Sequence, residues 1–169
     1  MALLFQLCEI VVAIFFVLFH CELERRIFGN PIYLKLQEIT EPLLKPLRQL
    51  VKRIQRQIPY KLPFDPTTLL AAFLMSIILG LIVLHSPLFA LRLFVASWLA
   101  LQFCAILVSV LASWLQTPPQ QPLLQTAEAC QNCYMRYLRQ LIPPLGGILD
   151  VTPVIALMLI SVFQQIFSL

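Results

Sequence analysis

The sequence predicts an all-α membrane protein with four transmembrane helices arranged as two parallel repeats, each containing a cytoplasmic basic amphipathic helix. Apolar residues make up 60% of the chain and charged residues only 12%, whereas soluble domains contain roughly 45–50% and about 25%. Apolar runs alternate with two basic amphipathic stretches. The motif Leu-Arg-Gln-Leu occurs in both stretches, at residues 47–50 and 138–141, which indicates an internal repeat.

The first repeat is expected to occupy residues 1–85. Its first span is predicted at residues 2–19, near the lower limit for crossing a hydrocarbon core about 30 Å thick. This run contains no Lys or Arg and no small-residue cleavage site, so it is interpreted as a retained transmembrane helix rather than a signal peptide. An amphipathic helix is predicted at residues 36–58, and a second span at residues 67–84.

The amphipathic stretch of the first repeat has the period of a helix. Its basic side chains fall mainly on the side opposite the apolar ones. Thr40 is expected to cap this helix, with Pro42 at its first position and a kink at Pro46. The apolar positions recur every three or four residues: Leu36, Ile39, Leu43, Leu47, Leu50, Ile54 and Ile58.

The second repeat is expected to occupy residues 86–169. Pro87 is suited to open its first helix, because the first helical N–H has no partner within the helix. The predicted elements are a span at residues 88–115, an amphipathic helix at residues 123–142 and a last span at residues 153–169.

The distribution of basic residues predicts the orientation of the chain. Cytoplasmic segments carry an excess of Lys and Arg, so both polar segments are expected to face the cytoplasm of a bacterial inner membrane, with both termini outside. Arg92 alone is expected on the outer side. Most of the twelve basic residues lie between the first two spans: Arg25, Arg26, Lys35, Lys45, Arg48, Lys52, Arg53, Arg56 and Lys61.

The cations of the amphipathic helices are the candidate binding residues. Such helices lie in the headgroup layer, where their cations attract anionic lipids or an acidic partner. A solvated helix with ordinary surface charges is the alternative, and nucleic-acid binding is disfavoured because no recognition fold accompanies the charge. The candidates are Lys45, Arg48, Lys52, Arg53, Arg56, Arg136 and Arg139.

Small residues at four-residue spacing predict where helices pack. In membranes such residues allow helix backbones to approach closely, either within the chain, in a homo-oligomer or with other integral membrane proteins. The predicted packing residues are Ala72, Ser76 and Gly80 in the second span, and Ala105, Ser109 and Ser113 in the third.

Several residues allow either a chemical or a structural interpretation. Glu9, Asp65 and Asp150 are candidate ion-binding acids, although Asp65 and Asp150 also suit helix capping. Cys130 and Cys133 form one C-x-x-C motif, which suits a thiol redox or metal role. No second cysteine pair at zinc spacing and no nucleophile–base pair accompany it, so neither a metal, a cofactor nor an enzyme is predicted.

Two segments make the chain resemble the YggT family, also called YlmG. The first covers residues 40–48, in which Pro42, Pro46 and Arg48 match the element Pro-Leu-Leu-Arg-Pro-Ile-Arg and Lys45 stands for its first Arg. The second covers residues 142–153, with matches at Gly146, Gly147, Asp150 and Pro153, and the two glycines are expected to form a turn. Leu149 is an extra residue relative to this element, and residues 52–57 resemble an insertion, so the chain is similar to a divergent member.

The resemblance implies a small membrane protein without a catalytic site. It links the chain to cell-division gene neighbourhoods, plastid nucleoid distribution, cytochrome assembly in chloroplasts and tolerance of potassium or osmotic stress. The first hypothesis is therefore a non-enzymatic scaffold or assembly factor that engages anionic lipid and partner membrane proteins. The alternatives are potassium transport or an osmotic-stress role through the candidate acids, and a redox role through the C-x-x-C motif.

Overall fold

The computed structural model describes residues 2–24, 29–57, 65–84, 86–142 and 150–168. This part of the chain is entirely helical, without strands, which confirms the all-α class predicted from the sequence. The predicted turn at the two glycines of residues 146–147 lies outside the described residues. The helices are α1 (Ala2–Leu23), α2 (Pro31–Gln57), α3 (Thr67–Leu84), α4 (Pro87–Trp114), α5 (Pro122–Leu141) and α6 (Thr152–Ser168).

Helix α4 is the centre of the bundle and packs against α1, α3, α5 and α6. It opens as the sequence predicts, with Ser86 in extended backbone and Pro87 at the first helical position. Because α4 contacts the helices on both sides of it in the chain, it joins the two halves of the protein.

Buried residues form three clusters in the described part of the chain, and α4 contributes to each of them; the smallest joins α4 to α5. In the first, α1 and α3 meet α4 through Phe94, whose ring centroid lies 4.9 Å from that of Phe16 and 5.5 Å from that of Phe73. Tilted and edge-on aromatic contacts of this kind add to the stabilisation from buried area. The second cluster joins α4, α5 and α6 around Leu99, Ile106, Met135 and Ile160.

Within the described residues, two helices are long and apolar enough to cross a membrane, at Leu3–Leu23 and Pro87–Trp114. Two shorter apolar helices lie at Thr67–Ile82 and Thr152–Phe167. Helices α3 and α6 contain 18 and 17 residues, so at about 1.5 Å per residue they span about 27 and 26 Å. That length is just below a hydrocarbon core of about 30 Å, so four crossings stay a prediction.

The outer surface of the four apolar helices is itself apolar. Large contiguous apolar surfaces are uncommon on soluble monomers and typical of faces that contact lipid or partners. Together with the two candidate spans, this surface indicates membrane association. Its exposed residues include Leu3, Leu7 and Ile10 on α1, Phe73 and Ile82 on α3, Leu88 and Leu107 on α4, and Met158 and Phe163 on α6.

Helix α2 starts earlier than the sequence pattern predicted. It begins at Pro31, and Asn30 caps it by accepting a hydrogen bond from the Ile32 N–H at 2.9 Å. The prediction that Thr40 caps a helix starting at Pro42 is therefore wrong. Thr40 lies inside the helix and donates to the Leu36 carbonyl at 2.8 Å, and the helix continues through Pro42 and Pro46.

Candidate functional site

Helix α2 has three sides with different surroundings. The side that faces the bundle is buried and carries Tyr33, Thr40, Leu44 and Val51. These positions are separated by seven, four and seven residues, which places them on one helical face. The contacts of this face with α1, α3 and α5 hold α2 against the bundle and leave the other two sides of the helix outward.

The second side is an apolar strip, which we define as Ile39, Leu43, Leu50 and Ile54. These side chains are between 54% and 73% exposed. They belong to the apolar face that the sequence predicts, whose remaining described members, Leu36 and Leu47, are half-buried against the core. Ile58 lies outside the described residues.

The third side is a basic edge, which we define as Lys45, Lys52, Arg53 and Arg56. All four side chains are exposed. None of them forms an ion pair with another residue in the described part of the chain. Their charges are therefore free to attract an anionic surface, next to an apolar strip on the same helix.

Arg48, another predicted lipid-binding residue, faces three carboxylates instead. Its Nη2 lies 2.7 Å from Glu22 Oε1 on α1, its Nη1 3.3 Å from Glu41 Oε2, and its Nε 3.9 Å from Asp65 Oδ2 before α3. Thr68 donates to the other oxygen of Glu22 at 2.9 Å. The Arg48 side chain is only 22% exposed. We call this group the Arg48 cluster, and it ties α2 to the ends of α1 and α3.

The second half contains a simpler pair at the corresponding place in the chain. Arg139 Nε lies 3.0 Å from Asp150 Oδ2, and Asp150 also accepts the Thr152 N–H at 3.0 Å. The Thr152 hydroxyl and backbone N–H, together with Arg139, lower the pKa of Asp150. This pair is exposed, and Arg136 is exposed as well.

Asn30 connects the starts of α2 and α5. Its side-chain oxygen caps α2, while its amide donates to the Pro122 carbonyl at 2.8 Å and to Thr126 Oγ1 at 3.1 Å on α5. Its side chain is buried. The sequence signal for this cap was Asn directly before Pro, which marks a helix start, but the contact with α5 has no local signal.

A second buried polar network joins α1, α4 and α5. His20 Nε2 lies 3.1 Å from the side-chain amide of Gln102. With that amide oriented to suit its neighbours, its nitrogen donates to the Cys130 carbonyl at 3.0 Å and its oxygen accepts from Trp98 at 3.3 Å. Sequence reasoning did not identify this network, because its members lie far apart in the chain.

The candidate ion-binding acids occupy separate places. Asp65 accepts the Thr67 N–H at 3.0 Å and also the Thr67 hydroxyl, and Asp150 makes the matching backbone contact with Thr152. Both therefore sit in helix-capping geometry. Glu9 is half-buried on α1 and forms no ion pair or hydrogen bond with another described residue. Among the described residues no group of three or more His, Cys, Asp or Glu side chains is arranged to hold a metal ion.

The small residues of α3 face its neighbours in the bundle. Ala72 and Ser76 are buried. A Cβ added to Gly80 would lie 2.7 Å from the Cα and Cβ of Ala90 on α4, a distance that real Cβ atoms do not reach. Gly80 is therefore a point where the backbones of α3 and α4 approach closely.

The small residues of α4 differ among themselves. Ala105 is buried, whereas Ser113 is exposed. Ser109 accepts a hydrogen bond from the Gln131 side chain of α5 at 2.6 Å. Two of the three thus lie towards neighbouring helices, and the third lies on the surface.

Cys130 and Cys133 lie one turn apart on α5 and differ in their exposure. Cys130 is buried and Cys133 is exposed, and both are free thiols. Burial raises the pKa of Cys130, which keeps it in the poorly reactive thiol form. This arrangement provides no support for a redox pair.

These features define an all-helical, membrane-associated chain whose α2 exposes an apolar strip beside a basic edge. A family model described as CCB3/YggT matches residues 88–169. The chain is 29% identical over 156 residues to proteins named "Uncharacterized protein YggT" from Escherichia coli strains K12, O6:H1 and O157:H7, with 86% of this chain and 74% of each relative covered. These matches confirm the resemblance to the YggT family, with this chain as a divergent relative. No solved structure matches it significantly.

Proposed function

We propose that the protein is a non-enzymatic inner-membrane scaffold or assembly factor, and that α2 is the element that engages anionic lipid. One observation carries this proposal: the apolar strip and the basic edge are both exposed on α2. A helix of this kind lies in the headgroup layer with its apolar face towards the acyl chains and its cations at the phosphates. Each such cation contributes about 1 kcal/mol near an anionic surface.

The anchoring of α2 supports a scaffold rather than a loose membrane tether. Asn30 holds the start of the helix against α5, and the Arg48 cluster holds its later part against α1 and α3. A helix held at two points presents its strip and basic edge in one orientation. Partner membrane proteins would then meet a surface of defined position relative to the bundle.

The two amphipathic helices have different roles in this proposal. The first half of α5 is buried against the bundle at Leu124, Ala127 and Cys130. Its exposed cations are Arg136 and Arg139, and Arg139 is paired with an acid. We therefore assign lipid engagement mainly to α2, and a structural role mainly to α5.

The proposal includes four crossings, two parallel repeats and cytoplasmic amphipathic helices. Each half has the order apolar helix, amphipathic helix, apolar helix. Each amphipathic helix opens at a proline, Pro31 or Pro122, and each has an arginine near an acid that precedes the next apolar helix. These shared features support like orientation of the halves, because two crossings return the chain to the same side.

The test measures anionic lipid retained by the purified full-length chain. Replacing Lys45, Lys52, Arg53 and Arg56 with Gln should lower the amount of phosphatidylglycerol that co-purifies in mild detergent at least about fivefold. This figure allows for screening of the about 1 kcal/mol that each cation contributes near an anionic surface. Arg48 is left unchanged because it belongs to the ion-pair cluster. The matched control exchanges Lys and Arg at the same four positions and so keeps the charge. Equal lipid retention by the Gln variant and the control would contradict the proposal.

A further inference from the structure

One ridge of α1 carries two polar side chains on an otherwise apolar surface. Gln6 is exposed and Glu9 is half-buried, and Ala13 follows one turn later on the same side. Leu3, Leu7 and Ile10 beside them are exposed. Neither Gln6 nor Glu9 forms a hydrogen bond or ion pair with any residue in the described ranges.

Unpaired polar groups on a membrane helix are costly, because hydrocarbon offers them no hydrogen-bond partner. Helix α1 is one of the two candidate spans, so the ridge would face the membrane. Glutamine and glutamate side chains in such a place are satisfied most directly by polar groups on another helix.

We propose that the Gln6–Glu9 ridge is a contact site for a second copy of this chain, in which Gln6 of each copy donates to Glu9 of the other. This inference rests on the proposed function insofar as it requires α1 to cross the membrane. It adds a self-association site that the lipid-binding surface of α2 does not involve.

The chemistry of the ridge favours a second copy over an unrelated helix. An amide that donates and a carboxylate that accepts lie three residues apart, so the surface is complementary to itself. Two copies inserted in the same direction place their α1 helices in parallel. A twofold axis along the membrane normal then forms two equivalent Gln6–Glu9 contacts, and each amide lies between the two carboxylates. Ala13 leaves room for close backbone approach.

The test is the oligomeric state of the full-length chain in detergent micelles and lipid nanodiscs, measured by sedimentation equilibrium and by energy transfer between labelled copies. The wild-type chain should be dimeric. Replacing both Gln6 and Glu9 with Leu should weaken association at least tenfold. Glu9→Gln should keep it within about threefold, because an amide oxygen still accepts from Gln6.

Gln164→Leu on α6 is the matched control, since it removes a similar amide from a different helix, and it should leave association unchanged. Circular dichroism establishes that each variant keeps its helices. A monomeric wild-type chain, or equal association of the double Leu variant, would overturn the inference. Lipid retention measured on the same samples separates the two proposals, because a monomer that still retains anionic lipid overturns only self-association.

Discussion

At the scale of single residues, the two arginines of the Leu-Arg-Gln-Leu motifs have different surroundings. Arg48 is mostly buried and faces carboxylates from α1, α2 and the segment before α3. Arg139 has one acidic partner, Asp150, and both side chains are exposed, at 57% and 40%. Water screens an exposed pair, whereas loss of a buried partner leaves a charge without compensation.

This contrast predicts unequal effects of the same substitution. Arg48→Gln should lower the free energy of unfolding by about 1.5–3 kcal/mol, because it removes charge-assisted hydrogen bonds and leaves three acids close together. Arg139→Gln should cost less than about 1 kcal/mol. Thermal or denaturant unfolding in detergent, followed by circular dichroism, measures both. Similar losses for the two variants would contradict the assigned role of the Arg48 cluster.

At the scale of elements, Asn30 acts both as a helix cap and as a joint between α2 and α5. Asp and Asn are about equally good caps, so a cap alone would tolerate Asn30→Asp. The joint would not, because a carboxylate would replace the amide that donates to the Pro122 carbonyl.

Asn30→Asp is therefore expected to destabilise the protein by at least about 1 kcal/mol, the scale of an unsatisfied buried polar group. Asn132→Asp on α5 is the control, since Asn132 forms no hydrogen bond with the described residues. Denaturant unfolding compares the two variants. An Asn30→Asp protein with the stability of the wild type would show that Asn30 acts only as a helix cap.

The contact of α3 with α4 depends on the missing side chain of Gly80. Gly80→Ala should cost about 1–3 kcal/mol through overpacking, because the new Cβ would meet the backbone of Ala90. Gly29→Ala is the matched control, since nothing lies within 4 Å of a Cβ built there, and its effect should stay within about 0.5 kcal/mol. Unfolding midpoints in detergent compare the two variants. A Gly80→Ala protein with unchanged stability would show that α3 and α4 can move apart without cost.

At the scale of the whole molecule, the proposed parallel repeats place both amphipathic helices on one side of the membrane. Cysteines introduced at Lys45 and Arg136, in a chain whose five native cysteines are replaced by Ser, should react from the same compartment with a membrane-impermeant thiol reagent. A cysteine at Arg92 should react from the opposite compartment. Inside-out and right-side-out vesicles provide the comparison. Labelling of positions 45 and 136 from opposite sides would exclude parallel repeats.

The parts of the fold that depend on local patterns could be predicted from the sequence. Apolar composition and helical period predicted an all-α chain, and Pro87 marked the start of α4. The sequence pattern places the start of α2 too late, because Thr40 and Pro42 resemble a helix cap followed by a first-turn proline. In the structure Asn30 and Pro31 have these roles, nearer the N-terminus. For the candidate site, the exposed cations and apolar strip of α2 were among the predicted residues. The partners of Arg48 were not, since Glu22 precedes it by 26 residues.

The sequence by itself therefore determined the helical class, the apolar character of α1, α3, α4 and α6, and the mixture of apolar and basic residues along α2. Residue composition and local order alone produce these properties. The tertiary structure decided which polar groups meet: Arg48 with Glu22, Asn30 with Pro122, and His20 with Gln102. These contacts depend on how whole helices pack against each other, and packing brings together residues that no local period connects. For the same reason, only the packed bundle separates the cations of α2 that remain exposed from the arginine that is paired within it.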